Sequence, residues 1–160
     1  MNKFILSLIL LLISSASFAN CSINYIGTSN IQDLIKTNKF EFDGYNKLCE
    51  RLKNNNAGVV LTGITQISPY QTTAAVIIGL YPIGEKYKGT TLNTVEWIGY
   101  DELRTSKTEK DRLYSLTMYA LDNLSKPEYN EKLKAMLNEV IEIRKGTKWE
   151  KKADIWFRLV

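Results

Sequence analysis

Apolar positions recur along this chain with a helical period, then a strand period, then a helical period again. Tyr45, Leu48, Cys49 and Leu52 fall at i, i+3, i+4 and i+7, which predicts a helix opening after Asp43 as N-cap. Asn46, Lys47, Glu50, Arg51 and Lys53 take its opposite face, and Cys49 points to the core. Turn-forming residues at 54–58 end it. Upstream, Ser29 and Gln32 have the spacing of a capping box, and with Leu34 and Ile35 they predict a short helix over 30–37.

The period then drops to that of strands. Residues 59–67 are β-branched or aliphatic with Gly63 in their midst, which reads as a strand with a bulge. Ser68-Pro69-Tyr70 is a turn, and 71–81 resumes as a second strand, so the two form a hairpin. The apolar run 74–78 also suits a buried helix segment, but its β-branched content decides for strand. Pro82-Ile83-Gly84 breaks the chain, 85–89 is a polar loop, and 90–100 alternates as a third strand.

Two helices come next. Ser106 to Glu109 is a capping box opening onto Leu113, Leu116, Ala120, Leu121 and Leu124. Ser125-Lys126-Pro127-Glu128 is a second, opening onto Tyr129, Leu133, Met136, Leu137, Val140 and Ile141. The short connection makes them an antiparallel helical hairpin. Gly146 stops the second helix, and 153–160 alternates Ile155, Phe157 and Leu159 against Asp154, Trp156 and Arg158 as a closing strand. The pattern predicts an α+β domain with a small antiparallel or mixed sheet of about four strands. The N-terminal helices and the C-terminal helical hairpin cover one face of it.

The first nineteen residues belong to another class. Met1-Asn2-Lys3, an apolar run over 4–13 broken only by Ser7, and small residues at Ser17 and Ala19 have the three regions of a secretory signal peptide. Cleavage is expected after Ala19, leaving 20–160 as a single domain. A membrane anchor would need about 20 apolar residues, and no later run approaches that length. The mature chain is therefore expected in the periplasm or secreted, with no transmembrane segment.

Charge adds little. The chain has 21 Lys plus Arg against 17 Asp plus Glu, and losing Lys3 leaves 20 against 17, a net of +3. Arg144, Lys145, Lys148, Lys151 and Lys152 against Glu150 concentrate the excess in one stretch, which reads as the solvated end of a helix. So small an excess in an exported domain argues against nucleic acid as a partner.

Cys21 and Cys49 are the only cysteines, and in an oxidising compartment they are expected to form one disulfide. Closing that 29-residue loop stabilises the fold by about 3.6 kcal/mol in the chain-entropy model. The alternative, a lipoprotein cut before Cys21, is poorly matched by Asn20 and Phe18 and would leave Cys49 unpaired. Histidine is absent, which removes Ser-His-Asp and Cys-His catalysis and His-ligated zinc. No metal site and no cofactor is expected.

Three groups of residues remain as functional candidates. The first is the basic stretch already described. The second is Glu96, Asp101 and Glu102, since paired carboxylates serve glycoside hydrolysis, although mixed charge at a helix entry is the plainer account. The third is Tyr70, Tyr81, Tyr87 and Tyr100 at turns and strand ends, where tyrosine offers large contact area at low entropic cost. Tyr45, Tyr114, Tyr119 and Tyr129 read instead as core or helix packing. Together these features point to a small exported binding protein, of inhibitor or immunity type, that blocks a protein partner in the cell envelope. An accessory envelope protein and a carboxylate-dependent hydrolase are the alternatives. Oligomeric state is left open by the pattern.

Overall fold

The computed structural model describes residues 21–84 and 89–146. The signal segment 1–19 with its cut after Ala19, Tyr87, the basic residues from 147 onward and the closing strand 153–160 lie outside the described residues. Within them the order is β1 Tyr25–Gly27, α1 Ser29–Asn38, α2 Tyr45–Asn54, β2 Ala57–Ile67, β3 Thr72–Pro82, β4 Val95–Asp101, α3 Ser106–Ser125 and α4 Asn130–Arg144. A single 3₁₀ turn, Pro127–Tyr129, joins the last two helices.

The sheet has four strands in the order β1-β2-β3-β4, so the α+β class with a mixed sheet is observed. β2, β3 and β4 are the antiparallel meander, and β1 joins β2 in parallel through the α1–α2 crossover. β1 has no counterpart in the sequence reading, because three residues are too few to show a period. The parallel pairing starts where Val59 N–H donates to the Asn24 carbonyl at 2.9 Å.

Strand parity sorts the side chains into two faces. Val59, Leu61, Ala74, Val76, Ile78, Leu80 and Val95 point inward and are buried under the helices. α3 is the hub of that layer, packing on β2, β3 and β4 with α1 and α2 beside it. α4 lies mainly on β3 and only lightly against α3, so the expected hairpin is laid on the sheet more than closed on itself. This broad burial explains why α3 hides Leu116, Met118 and Asn123 in addition to the single stripe of Leu113, Thr117, Ala120, Leu121 and Leu124.

Gly63 is not a bulge. It pairs with Val76 in an unbroken ladder, and a Cβ there would sit 2.6 Å from Ile31 Cδ1 and 3.0 Å from Leu113 Cδ1. Glycine is required because α1 and α3 cross the strand closely at this point. The third strand is also shorter than predicted: it begins at Val95, while Thr91 bends back so that its hydroxyl accepts from Leu80 N–H at 3.0 Å.

The helix starts depart from the local caps read in the sequence. α1 begins after Thr28, and Gln32 donates its side-chain amide to the Gly27 carbonyl at 2.7 Å instead of closing a box on Ser29. Asp43 does not cap α2, whose N-cap is Gly44. Thr105 rather than Ser106 caps α3, accepting from Thr108 N–H at 3.0 Å, which frees Glu109 to accept from the Thr65 hydroxyl. Ser125 donates to the Asp122 carbonyl and leaves α4 without a side-chain cap.

Cys21 and Cys49 form the expected disulfide, with Cα atoms 6.0 Å apart. It fastens the segment leading into β1 to the buried side of α2, where Cys49 is almost wholly enclosed. Beside it Tyr25, Phe40, Phe42 and Tyr45 form a ring cluster with centroid separations from 4.8 to 5.9 Å. Among the described residues no helix is long and apolar enough to cross a membrane.

Candidate functional site: an open sheet face

The second face of the sheet carries apolar side chains and, among the described residues, no helix. Its cross-strand rows follow from register. Gly58 lies beside Tyr81 at one end; Ile26, Val60 and Gly79 come next; Thr62, Ile77 and Glu96 occupy the middle; Ile64, Ala75 and Ile98 follow; Gln66, Thr73 and Tyr100 close the other end. Ile64 is 56% exposed and Ile98 60% exposed, with the small Ala75 between them. The row is therefore a shallow trough with two raised walls. Glu96 is the only charged residue at these outward positions.

An antiparallel sheet with one solvated face ordinarily alternates apolar with polar. Here both parities are apolar through much of β2 and β3. Each exposed isoleucine leaves apolar area in water at roughly 25 cal/mol per Å². Contiguous exposed apolar surface of this kind marks an interaction site more often than chance.

The nominated tyrosines bracket this face without forming one cluster. Tyr100 stands on it, opposite Thr73 and 56% exposed. Tyr70 sits at the tip of the β2–β3 turn, 87% exposed, close to the end where Tyr100 lies. Tyr81 is eight residues further along β3 from Thr73, at the far end, where its ring lies over Gly58. Burial there pushes its phenol above the usual tyrosine range. The turn is braced from the side: Arg104 donates to the Pro69 carbonyl, and the Thr72 hydroxyl donates to the Leu103 carbonyl at 2.7 Å.

Sequence reasoning missed the isoleucines. Ile26, Ile64 and Ile98 carry the face between the tyrosines, and their signal was apolar residues on both parities of strands in a meander. Of the tyrosines read as packing, Tyr45 accepts from Ile23 N–H at 3.1 Å and Tyr129 stacks on Trp97 at 5.5 Å. Tyr114 donates to the carbonyls of Asn38 and Lys39. Tyr119 differs: it is exposed, with the Lys126 ammonium 5.9 Å from its ring centroid.

The candidate carboxylates are not brought together. Glu96 and Asp101 are five residues apart on one strand, an odd separation that turns them to opposite faces. Asp101 accepts from Leu103 N–H at 2.9 Å and so closes its own turn. Neither lines the groove of about 790 Å³ that runs along α1 and the first two turns of α3. Its lining mixes apolar surface, including Leu34 and Leu113, with the charged Asp33, Lys107, Glu109 and Lys110, and Glu109 is already engaged by Thr65. Among the described residues no group of three or more Cys, Asp or Glu side chains is placed to hold a metal ion.

The class defined by this geometry is a two-layer α+β domain with helices on one side of a mixed sheet and an open apolar face on the other. No protein-family model, no curated protein and no solved structure matches the chain.

Proposed function

We propose that the protein is an exported binding protein that docks a protein partner on the open face of its sheet and thereby blocks or shields it. The observation that carries this reading is the trough of Ile64, Ala75 and Ile98, left in water on the side of the sheet away from the helices. Tyr100 and Tyr70 at one end of it are residue types that concentrate binding energy. The signal-like residues 1–19 and the Cys21–Cys49 disulfide support an oxidising compartment, the periplasm or the medium outside, as the place of work. The hydrolase alternative loses support from the opposed directions of Glu96 and Asp101.

The test is capture from envelope extracts with the mature oxidised protein and, in parallel, with an Ile64→Asp/Ile98→Asp variant, read by quantitative mass spectrometry. One stoichiometric protein retained by the native face and lost with the variant is the expected result. Equal capture by both proteins overturns the assignment to this face.

A further inference from the structure

β4 is the last strand of the sheet and, among the described residues, pairs on one side only, with β3. Which of its backbone groups look outward follows from Leu80, whose N–H and C=O both meet Thr91 on the β4 side of β3. These groups alternate in direction along a strand, so Ile78, Val76, Ala74 and Thr72 turn the same way and bond Val95, Trp97, Gly99 and Asp101. The N–H and C=O groups of Glu96, Ile98 and Tyr100 therefore point away from β3, and among the described residues nothing pairs with them.

Both flanks of β4 are held back from this edge. Ahead of it, Thr91 bonds Leu80 on β3, and Asn93 N–H donates to the Glu139 carboxylate on α4 at 2.9 Å. After it, the Leu103 carbonyl accepts from Thr72, and Arg104 reaches Pro69 in the β2–β3 turn. Sheet edges are ordinarily guarded by Lys, Pro or a bulge. β4 has none of these: it reads Val-Glu-Trp-Ile-Gly-Tyr-Asp, and its register against β3 runs unbroken.

The strand is also complementary to itself. Ile98 is its middle residue, so a two-fold axis there lays 95–101 antiparallel along the whole of the same stretch in a second copy. Ile98 then stands opposite Ile98, and Glu96 opposite Tyr100, and these are the residues whose backbone groups point outward. The outward N–H groups of each copy donate to the outward carbonyls of the other. The one charge of the outer face comes beside a phenol that can donate to it, instead of beside its own duplicate. On the helix side the large Trp97 comes opposite Gly99, which has no side chain, and beside the flexible Arg112 guanidinium that lies against it. α3 and α4 both pack most heavily on β3, and the two copies of β3 lie three strand spacings apart, about 14 Å. Packed helices need about 8–10 Å between axes, so the helical layers clear each other.

We infer that the protein forms a two-fold dimer by pairing β4 with β4 of a second copy, which joins two four-stranded sheets into one with all helices on the same side. The row of Ile64, Ala75 and Ile98 then runs on into Ile98, Ala75 and Ile64 of the second copy, doubling the open face. The inference stands on the edge and holds whether or not a partner binds the face.

Sedimentation of the mature oxidised protein over a concentration series, with amide exchange followed by NMR at both ends of the series, tests it. The expected result is a reversible monomer–dimer equilibrium in which the amides of Glu96, Ile98 and Tyr100 become protected as the dimer forms. Those of Trp97 and Gly99, bonded to β3, should be protected throughout. Ile98→Pro removes an outward donor from each copy and none from the β3 ladder, and is expected to weaken dimerisation about tenfold or more. Ile98→Lys sets two ammonium groups opposite each other on an exposed face, and is expected to do the same with far-UV circular dichroism unchanged. Ile64→Asp, on β2 and away from the edge, should leave the dimer intact even where it abolishes partner capture, so the two readings fail separately. A monomer at every concentration overturns the inference. A dimer whose Glu96, Ile98 and Tyr100 amides exchange freely overturns it too, because the copies would then meet elsewhere. Protection of those amides that is independent of concentration does the same, because the edge would then be closed within one chain.

Discussion

Asp122 accepts a hydrogen bond from the backbone N–H of Gly44 at 2.8 Å, joining residues 78 apart in sequence. The carboxylate of α3 thus does for α2 what the neighbouring Asp43 does not. A charged acceptor at a helix N-terminus satisfies an orphan donor and interacts favourably with the dipole. Removing it by Asp122→Ala should cost about 1.5–3 kcal/mol, the range for hydrogen bonds to charged groups. Asp122→Asn, which keeps an acceptor, should cost less. Urea unfolding of the two variants beside the parent measures both.

The same carboxylate holds Lys126 at 3.0 Å, and that hydrogen bond raises the ammonium above its ordinary 10.5. A cation whose folded pKa is raised contributes stability that is fully present below its unfolded value and is lost as pH rises through the folded value. The pair should therefore stabilise at neutral pH and cease to do so in strong alkali. Lys126→Met isolates it: the stability difference between parent and variant should shrink above about pH 10.5 and be constant from pH 6 to 9. A difference that grows with alkali would mean that the pair is not what the variant removes.

Gly63 and Gly99 separate packing from conformation. At Gly63 a methyl group meets Ile31 and Leu113 in the closed core, so Gly63→Ala should destabilise by about 1–3 kcal/mol. At Gly99 the nearest atoms, 2.7 Å away, belong to the guanidinium end of Arg112, which can swing aside. Gly99→Ala should stay within about 0.5 kcal/mol of the parent. Thermal unfolding of the two variants decides between these accounts.

These residues show which parts of the fold were legible in the sequence. Leu48, Cys49 and Leu52 declared α2 through their period, and Val59 to Ile67 declared a strand, because both patterns are local. The partner of Gly44 was hidden, since nothing local distinguishes Asp122 from any other acid on a helix. Gly63 was read as a bulge because a glycine inside a strand has two physical causes, extra backbone or a close neighbour, and the neighbour lies on other elements. At the candidate site the tyrosines were seen and Ile26, Ile64 and Ile98 were not. An isoleucine is assigned to the core by default, and only the register shows which parity faces the helices.

The Cys21–Cys49 bridge closes a separation of 28 residues and tethers the chain ahead of β1, a strand of three residues on the sheet edge. Its loss should cost about 3–4 kcal/mol, with fraying of β1 before the rest. The comparison is between oxidised and reduced protein, by melting temperature and by amide exchange at Tyr25, Ile26 and Gly27. Reduction that leaves β1 as protected as β3 would show that pairing with β2 suffices without the tether.

Adjacent residues on β3 give the sharpest test of the two faces. Ile78 is wholly buried beneath the helices and pairs across to Leu61 and Val95, whereas Ile77 faces outward between Thr62 and Glu96. Truncating Ile78 to alanine opens a cavity in close-packed surroundings and should cost about 2–5 kcal/mol. Truncating Ile77 removes the same atoms from a site that water can refill, and should cost less than about 1 kcal/mol. Denaturant midpoints at a common slope give the two values directly. A large loss at Ile77 would mean that the outer face is part of a second permanent core, and the partner-binding reading would lose its surface.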